Sequence, residues 1–155
     1  MFAVKAKFNT VVKPYPAMES FDDRSFNLKP EDLPLLVNRM DFQEENGHYE
    51  IELMVPKRGF FNWYVFAEHV EQTEPPEYYL LAEEWTVVKQ RIAPAQSLDA
   101  EEKFNFVPKQ DQPLQANWIK GALDKHYEIS LIEPVNGVHN WFVFSEHVKP
   151  SKLLA

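Results

Sequence analysis

The chain has 155 residues, 45% of them apolar and 14% aromatic, with a formal net charge of −8. That charge argues against non-specific binding to phosphate backbones and against an electrostatic anchor on anionic lipid, so neither a nucleic acid nor a membrane is expected as partner. There is no cysteine, which removes disulfides, thiol chemistry and thiolate zinc sites.

Twelve prolines and four glycines work against long helices, and the many aromatic and β-branched residues suit short strands joined by loops. The opening "MFAVKAKFNT" is interrupted by lysines and has no apolar core of signal-peptide length. No later stretch approaches the ~18 apolar residues of a membrane span. The expectation is a soluble protein, cytoplasmic as synthesised, which would reach the outside by lysis or inside a particle. Next comes "TVVK" (residues 10–13), read as a short strand, and "SFNLKPEDLPLLV" (residues 25–37), read as an extended arm punctuated by proline. In "HYEIEL", Tyr49, Ile51 and Leu53 alternate with His48, Glu50 and Glu52, the period of a half-buried strand. After the turn "PKRG", the segment "NWYVF" is apolar on both faces, as expected of a central strand. "AEH" then reads as one 3₁₀ turn and Val70 as the start of a closing strand.

The chain then repeats itself. Residues 48–70 return as residues 126–148 with 14 of 23 positions identical, "GFFNWYVFAEHV" becoming "GVHNWFVFSEHV". Self-similarity of this extent marks a tandem duplication. "TVVK" returns at residues 86–89, and Phe26, Asn27 and Pro30 return as Phe104, Asn105 and Pro108. The shift is 76 residues at the first anchor and 78 at the second, so the loop between them is two residues longer in the second copy. Tyr127, Ile129 and Leu131 again alternate with His126, Glu128 and Ser130, and Asn136-Gly137 is a strong hairpin signal. The seam "EQTEPPEY" is acidic and carries two prolines. The domain reading is repeat 1 over residues 1–73, a stiff proline-rich linker over 74–78, and repeat 2 over 79–155.

Thr-Val-x-Lys near the start, Phe-Asn-x-x-Pro, a Tyr-x-Ile-x-Leu strand and Trp-x-Val-Phe-x-x-His-Val together resemble bacterial SH3-like (SH3b) modules, which often follow the catalytic domain of cell-wall hydrolases and phage lysins. The resemblance covers each repeat nearly end to end and is best over residues 63–70 and 141–148. It implies an all-β protein of two tandem SH3-like small β-barrels with short 3₁₀ turns, closed so that no sheet edge is exposed. It also implies a non-catalytic module that binds cell-wall glycan, cell-wall peptide or a protein.

The residues support that class and leave its target open. Glu44, Glu45, Asp99, Glu101 and Glu102 lie in polar runs rather than across a cleft, so no catalytic residue is assigned. His48, His69, His126 and His147 are paired by the repeat but lack metal-ligand spacing, so no metal and no cofactor is assigned. His69 and His147 are instead expected to bond backbone groups in the 3₁₀ turn. Trp63, Val65, Trp141 and Val143 read as core. The candidate ligand-binding residues are Phe60, Phe61, Tyr64, Phe66, His139, Phe142 and Phe144, aromatic side chains of the type that hold sugars and peptides. Three functions compete. Recognition of bacterial cell wall (peptidoglycan) comes first. A phage virion structural protein, decorating a capsid or built into a tail or baseplate, comes second, with the proline-punctuated arms at residues 26–36 and 104–114 lying along a neighbouring subunit. A module for proline-rich peptides comes third.

Overall fold

A computed structural model describes residues 1–16 and 24–155; the side chain of Glu44 also lies outside what is described. The described chain is all-β, with short 3₁₀ turns and no α-helix, and folds as two compact units, Met1–Pro75 and Pro76–Ala155.

The first unit contains β1 (Phe2–Ala6), β2 (Thr10–Val12), β3 (Phe26–Leu28), β4 (Leu35–Glu45), β5 (His48–Lys57), β6 (Phe60–Phe66) and β7 (Val70–Thr73). Its main sheet runs β6-β5-β4-β1-β7, and β2 pairs with β3. An antiparallel bridge between Lys13 and Tyr64 joins that pair to β6, with Lys13 and Tyr64 exchanging both backbone hydrogen bonds at 2.8 and 2.7 Å. The second unit repeats the plan with β8 (Tyr78–Ala82), β9 (Thr86–Lys89), β10 (Lys103–Phe106), β11 (Leu114–Gly121), β12 (His126–Val135), β13 (Val138–Phe144) and β14 (Val148–Pro150). Here all seven strands form one sheet, β10-β9-β13-β12-β11-β8-β14.

Hairpin chemistry explains the long central strands. Arg58-Gly59 and Asn136-Gly137 both have positive φ at their two residues, the conformation of a two-residue turn whose twist matches antiparallel strands. Lys57 is opposite Phe60, and Val135 opposite Val138, across these turns. Inside each unit the alternating side chains form one core. Val4, Val12, Val37, Ile51, Leu53, Trp63 and Val65 are fully buried in the first, and Leu80, Val88, Ile119, Ile129, Trp141 and Val143 in the second. Each core tryptophan satisfies its indole N–H locally: Trp63 Nε1 donates to the Phe60 carbonyl at 2.9 Å, and Trp141 Nε1 to the Val138 carbonyl at 2.8 Å.

The closed barrel expected from the sequence is not what the strands make. Among the described residues β3 does not pair with β7, nor β10 with β14, so each sheet stays open. The strands that would close it are too short: β7 ends before Glu74-Pro75-Pro76, β3 before Lys29-Pro30, and β14 at Pro150. Proline lacks the N–H that a further ladder bond needs, and it also blunts the edge against pairing with other chains. The 3₁₀ turns at Ala67–His69 and Ser145–His147 lie where the sequence placed them and steer the chain onto the first strand of each unit. There the Lys7 N–H donates to the His69 carbonyl, and the N–H groups of Glu83 and Glu84 to that of His147.

Two further expectations change. Residues 26–36 are not a free arm, since Leu28, Leu35 and Leu36 are buried in their own unit. Phe106 is likewise buried in the second unit, and Leu114 packs against its core. Tyr78, assigned to the linker, opens β8 and is buried opposite Ala116.

Candidate functional site

The seven aromatic and histidine candidates do not form one surface. Phe60, Phe61 and Tyr64 converge in a groove of about 640 Å³ in the first unit, lined also by Pro14, Glu52 and Asn62. The groove follows from the local sequence. The Arg58-Gly59 turn lifts the two phenylalanines to the surface, where Phe61 is 48% exposed and Phe60 39%. Alternation along β6 then buries Trp63 and leaves Tyr64 half-buried beside them. The groove is tied to the core because the Phe60 carbonyl holds the Trp63 indole. The Arg24 guanidinium lies over the Phe60 ring, 4.8 Å from its centre. The Tyr64 hydroxyl donates to Glu50 Oε2 at 2.8 Å, and that bond first, with burial second, pushes its pKa up to about 12. Flat apolar rings beside a carboxylate and an amide suit a ligand that offers apolar faces and hydroxyl or amide groups together.

Phe66 belongs elsewhere, at the far end of β6. Its ring lies 4.2 Å from that of His48 and 5.0 Å from that of His69, with the Lys13 ammonium 4.1 Å from its centre. The period-two reading put His48 outward with Glu50 and Glu52, yet it is fully buried. Its Nδ1–H donates to the Asn46 carbonyl at 2.8 Å, which leaves Nε2 as acceptor for the Lys13 ammonium at 3.1 Å. Burial holds the pKa of His48 below the ordinary histidine value; the Lys13 charge adds to this, while the Asn46 and Glu45 carbonyls oppose it. The expectation that His69 and His147 bond backbone groups through their rings is corrected by the structure. Each Nδ1 meets a threonine hydroxyl instead, Thr10 at 2.9 Å and Thr86 at 3.0 Å, which ties the 3₁₀ turn to β2 and β9.

In the second unit the candidates are dispersed. His139 Nδ1–H donates to the Leu131 carbonyl at 2.7 Å. Phe142 is half-buried opposite Glu128 and Lys89; it lacks the hydroxyl of Tyr64, and Glu128 pairs with Lys120 at 3.5 Å instead. Phe144 lines a separate cleft of about 400 Å³ with Trp85, Lys89, His126 and His147. Sequence reasoning missed Lys13, Lys89 and Trp85. The return of "TVVK" with its lysine intact was the available signal for the first two; nothing in the repeat marks Trp85, whose counterpart is Asn9. No group of three or more histidine or acidic residues suited to a metal occurs among the described residues. No protein-family model matches the chain, and no curated protein is significantly similar to it.

Proposed function

We propose that the protein is a non-catalytic binding module that recognises bacterial cell-wall material through the groove of its first unit. The observation that supports this is the meeting of Phe60, Phe61 and Tyr64 with Glu52 and Asn62 on an open face anchored to the core. Glycan rings present apolar faces that lie flat on aromatic side chains, and their hydroxyls and acetamido groups pair with carboxylate and amide. The resemblance of the repeats to SH3-like modules, proposed from their sequence, supports the same role, and the all-β build with a 3₁₀ turn before the last strand of each unit is compatible with it. Co-sedimentation with purified peptidoglycan tests the reading. Saturable recovery in the pellet is the expected result, and a protein that stays wholly in the supernatant sinks it.

A second reading, assembly into a phage particle, draws on the sheets staying open, which leaves outer strands beyond their prolines for a neighbouring chain to meet. It no longer draws on free arms, since those segments are folded into their own units. A monomer at all accessible concentrations, absent from any purified particle, removes it.

A further inference from the structure

The two units differ at one equivalent place. In the first, Lys13 is 1% exposed and crosses the Phe66 ring to reach His48 Nε2. In the second, Lys89 has turned away, and its ammonium donates to the Ala93 carbonyl at 2.9 Å. Ala93 lies in the loop between β9 and β10, which is two residues longer than its counterpart in the first unit. What remains is His126, 8% exposed, with its Nδ1–H donated to the Asp124 carbonyl at 2.7 Å and its Nε2 buried without a hydrogen-bond partner. A buried acceptor left unmatched is costly and points to a missing partner.

We infer that the cleft of the second unit receives a primary alkylammonium group, carried on a lysine-type side chain of a peptide, which fills the place that Lys13 fills in the first unit. The first unit shows the recognition chemistry: an ammonium donating to histidine Nε2 while lying over a phenylalanine ring. In the second unit His126 supplies the acceptor and Phe144 the ring. Trp85, 66% exposed at the mouth, supplies a second aromatic face for the alkyl chain. Glu84, whose Oε2 is 3.5 Å from His147 Nε2, adds negative charge beside one of the lining residues. Entry requires Phe144 to tilt. Its ring now stands edge-on to His126, with centroids 5.7 Å apart and planes at 73°, whereas the Phe66 ring lies at 4.2 Å and 30° to His48. The inference does not depend on the groove of the first unit.

The test is a titration of the full chain with N-acetyl-lysine methylamide, followed by the ring-nitrogen resonances of His126 and the indole N–H of Trp85. Saturable shifts at both are expected, with N-acetyl-norleucine methylamide, the same chain without the ammonium, binding about tenfold more weakly or not at all. Trp85→Ala alters an exposed residue, so it should fold and bind about tenfold more weakly. Lys89→Met should bind at least as well as wild type. The proposal is overturned by equal response to the norleucine probe, by absence of saturable shifts, or by loss of binding in Lys89→Met. A soluble probe keeps this outcome separate from that of peptidoglycan co-sedimentation.

Discussion

In the first unit the Lys13 ammonium lies 3.1 Å from His48 Nε2, and both residues are shut away from solvent. The pair gives the unit a definite pH response. The folded pKa of His48 is depressed, by burial first and by the Lys13 charge after the opposing Asn46 carbonyl. For a histidine of that kind the unfolded chain binds the proton more readily. Stabilisation is therefore complete above the unfolded value of about 6.5 and is lost as pH falls from there through the lower folded value. Thermal melts between pH 7.5 and 5 should show a falling midpoint for wild type and a flatter profile for His48→Gln. An identical slope in the two proteins would remove His48 from the account. In an NMR titration, Lys13→Met should move the His48 midpoint upward.

The hydroxyl of Tyr64 gives the opposite sign. Its folded pKa, pushed up to about 12, exceeds the ordinary phenol value near 10, so its stabilisation is full below about 10 and lost as pH rises through about 12. Absorbance titration should show one fewer tyrosine ionising by pH 11 in wild type than in Glu50→Gln. Tyr64→Phe should cost about 1 kcal/mol in urea unfolding, the usual worth of a hydrogen bond of this type.

Trp63 and Trp141 are equivalent in the two units: both are wholly buried and both donate to a carbonyl three residues earlier. Trp63→Ala and Trp141→Ala should each destabilise by about 3–5 kcal/mol, from the cavity and the orphaned carbonyl together. Urea unfolding followed by circular dichroism checks this; a loss under about 1 kcal/mol in either would contradict the packing described.

The turn glycines are needed for backbone conformation and not for space. Gly59 and Gly137 have φ of +83° and +76°, with nothing within 4 Å of where a Cβ would sit. Alanine at either should cost about 1–2 kcal/mol, and asparagine less, because asparagine tolerates the left-handed region. Equal losses for alanine and asparagine would point to a steric cause instead.

Much of this architecture was readable from the chain. Period-two alternation located β5, β6, β12 and β13, and the Asn136-Gly137 pair located a hairpin, because both signals are local. Closure was not readable, since it depends on whether β7 and β3 are long enough to meet, and prolines end both early. His48 was misplaced for a related reason. Alternation reports which side of a strand a residue takes, but Lys13 and Phe66 cover that side at the strand's start. The groove was half visible: Phe60, Phe61 and Tyr64 are close in sequence, whereas Glu52 and Pro14 reach it only through pairing of β5 with β6 and the Lys13–Tyr64 bridge.

The central claim, wall recognition by the first unit's groove, is tested most directly by measuring peptidoglycan co-sedimentation of wild type beside the double variant Phe60→Ala, Phe61→Ala. Both phenylalanines are partly exposed, so the variant should keep its fold by circular dichroism. The account predicts saturable binding by wild type and a loss of about tenfold or more in the variant, as expected when stacking aromatics are removed. Equal binding by the two proteins, or none by wild type, would contradict it.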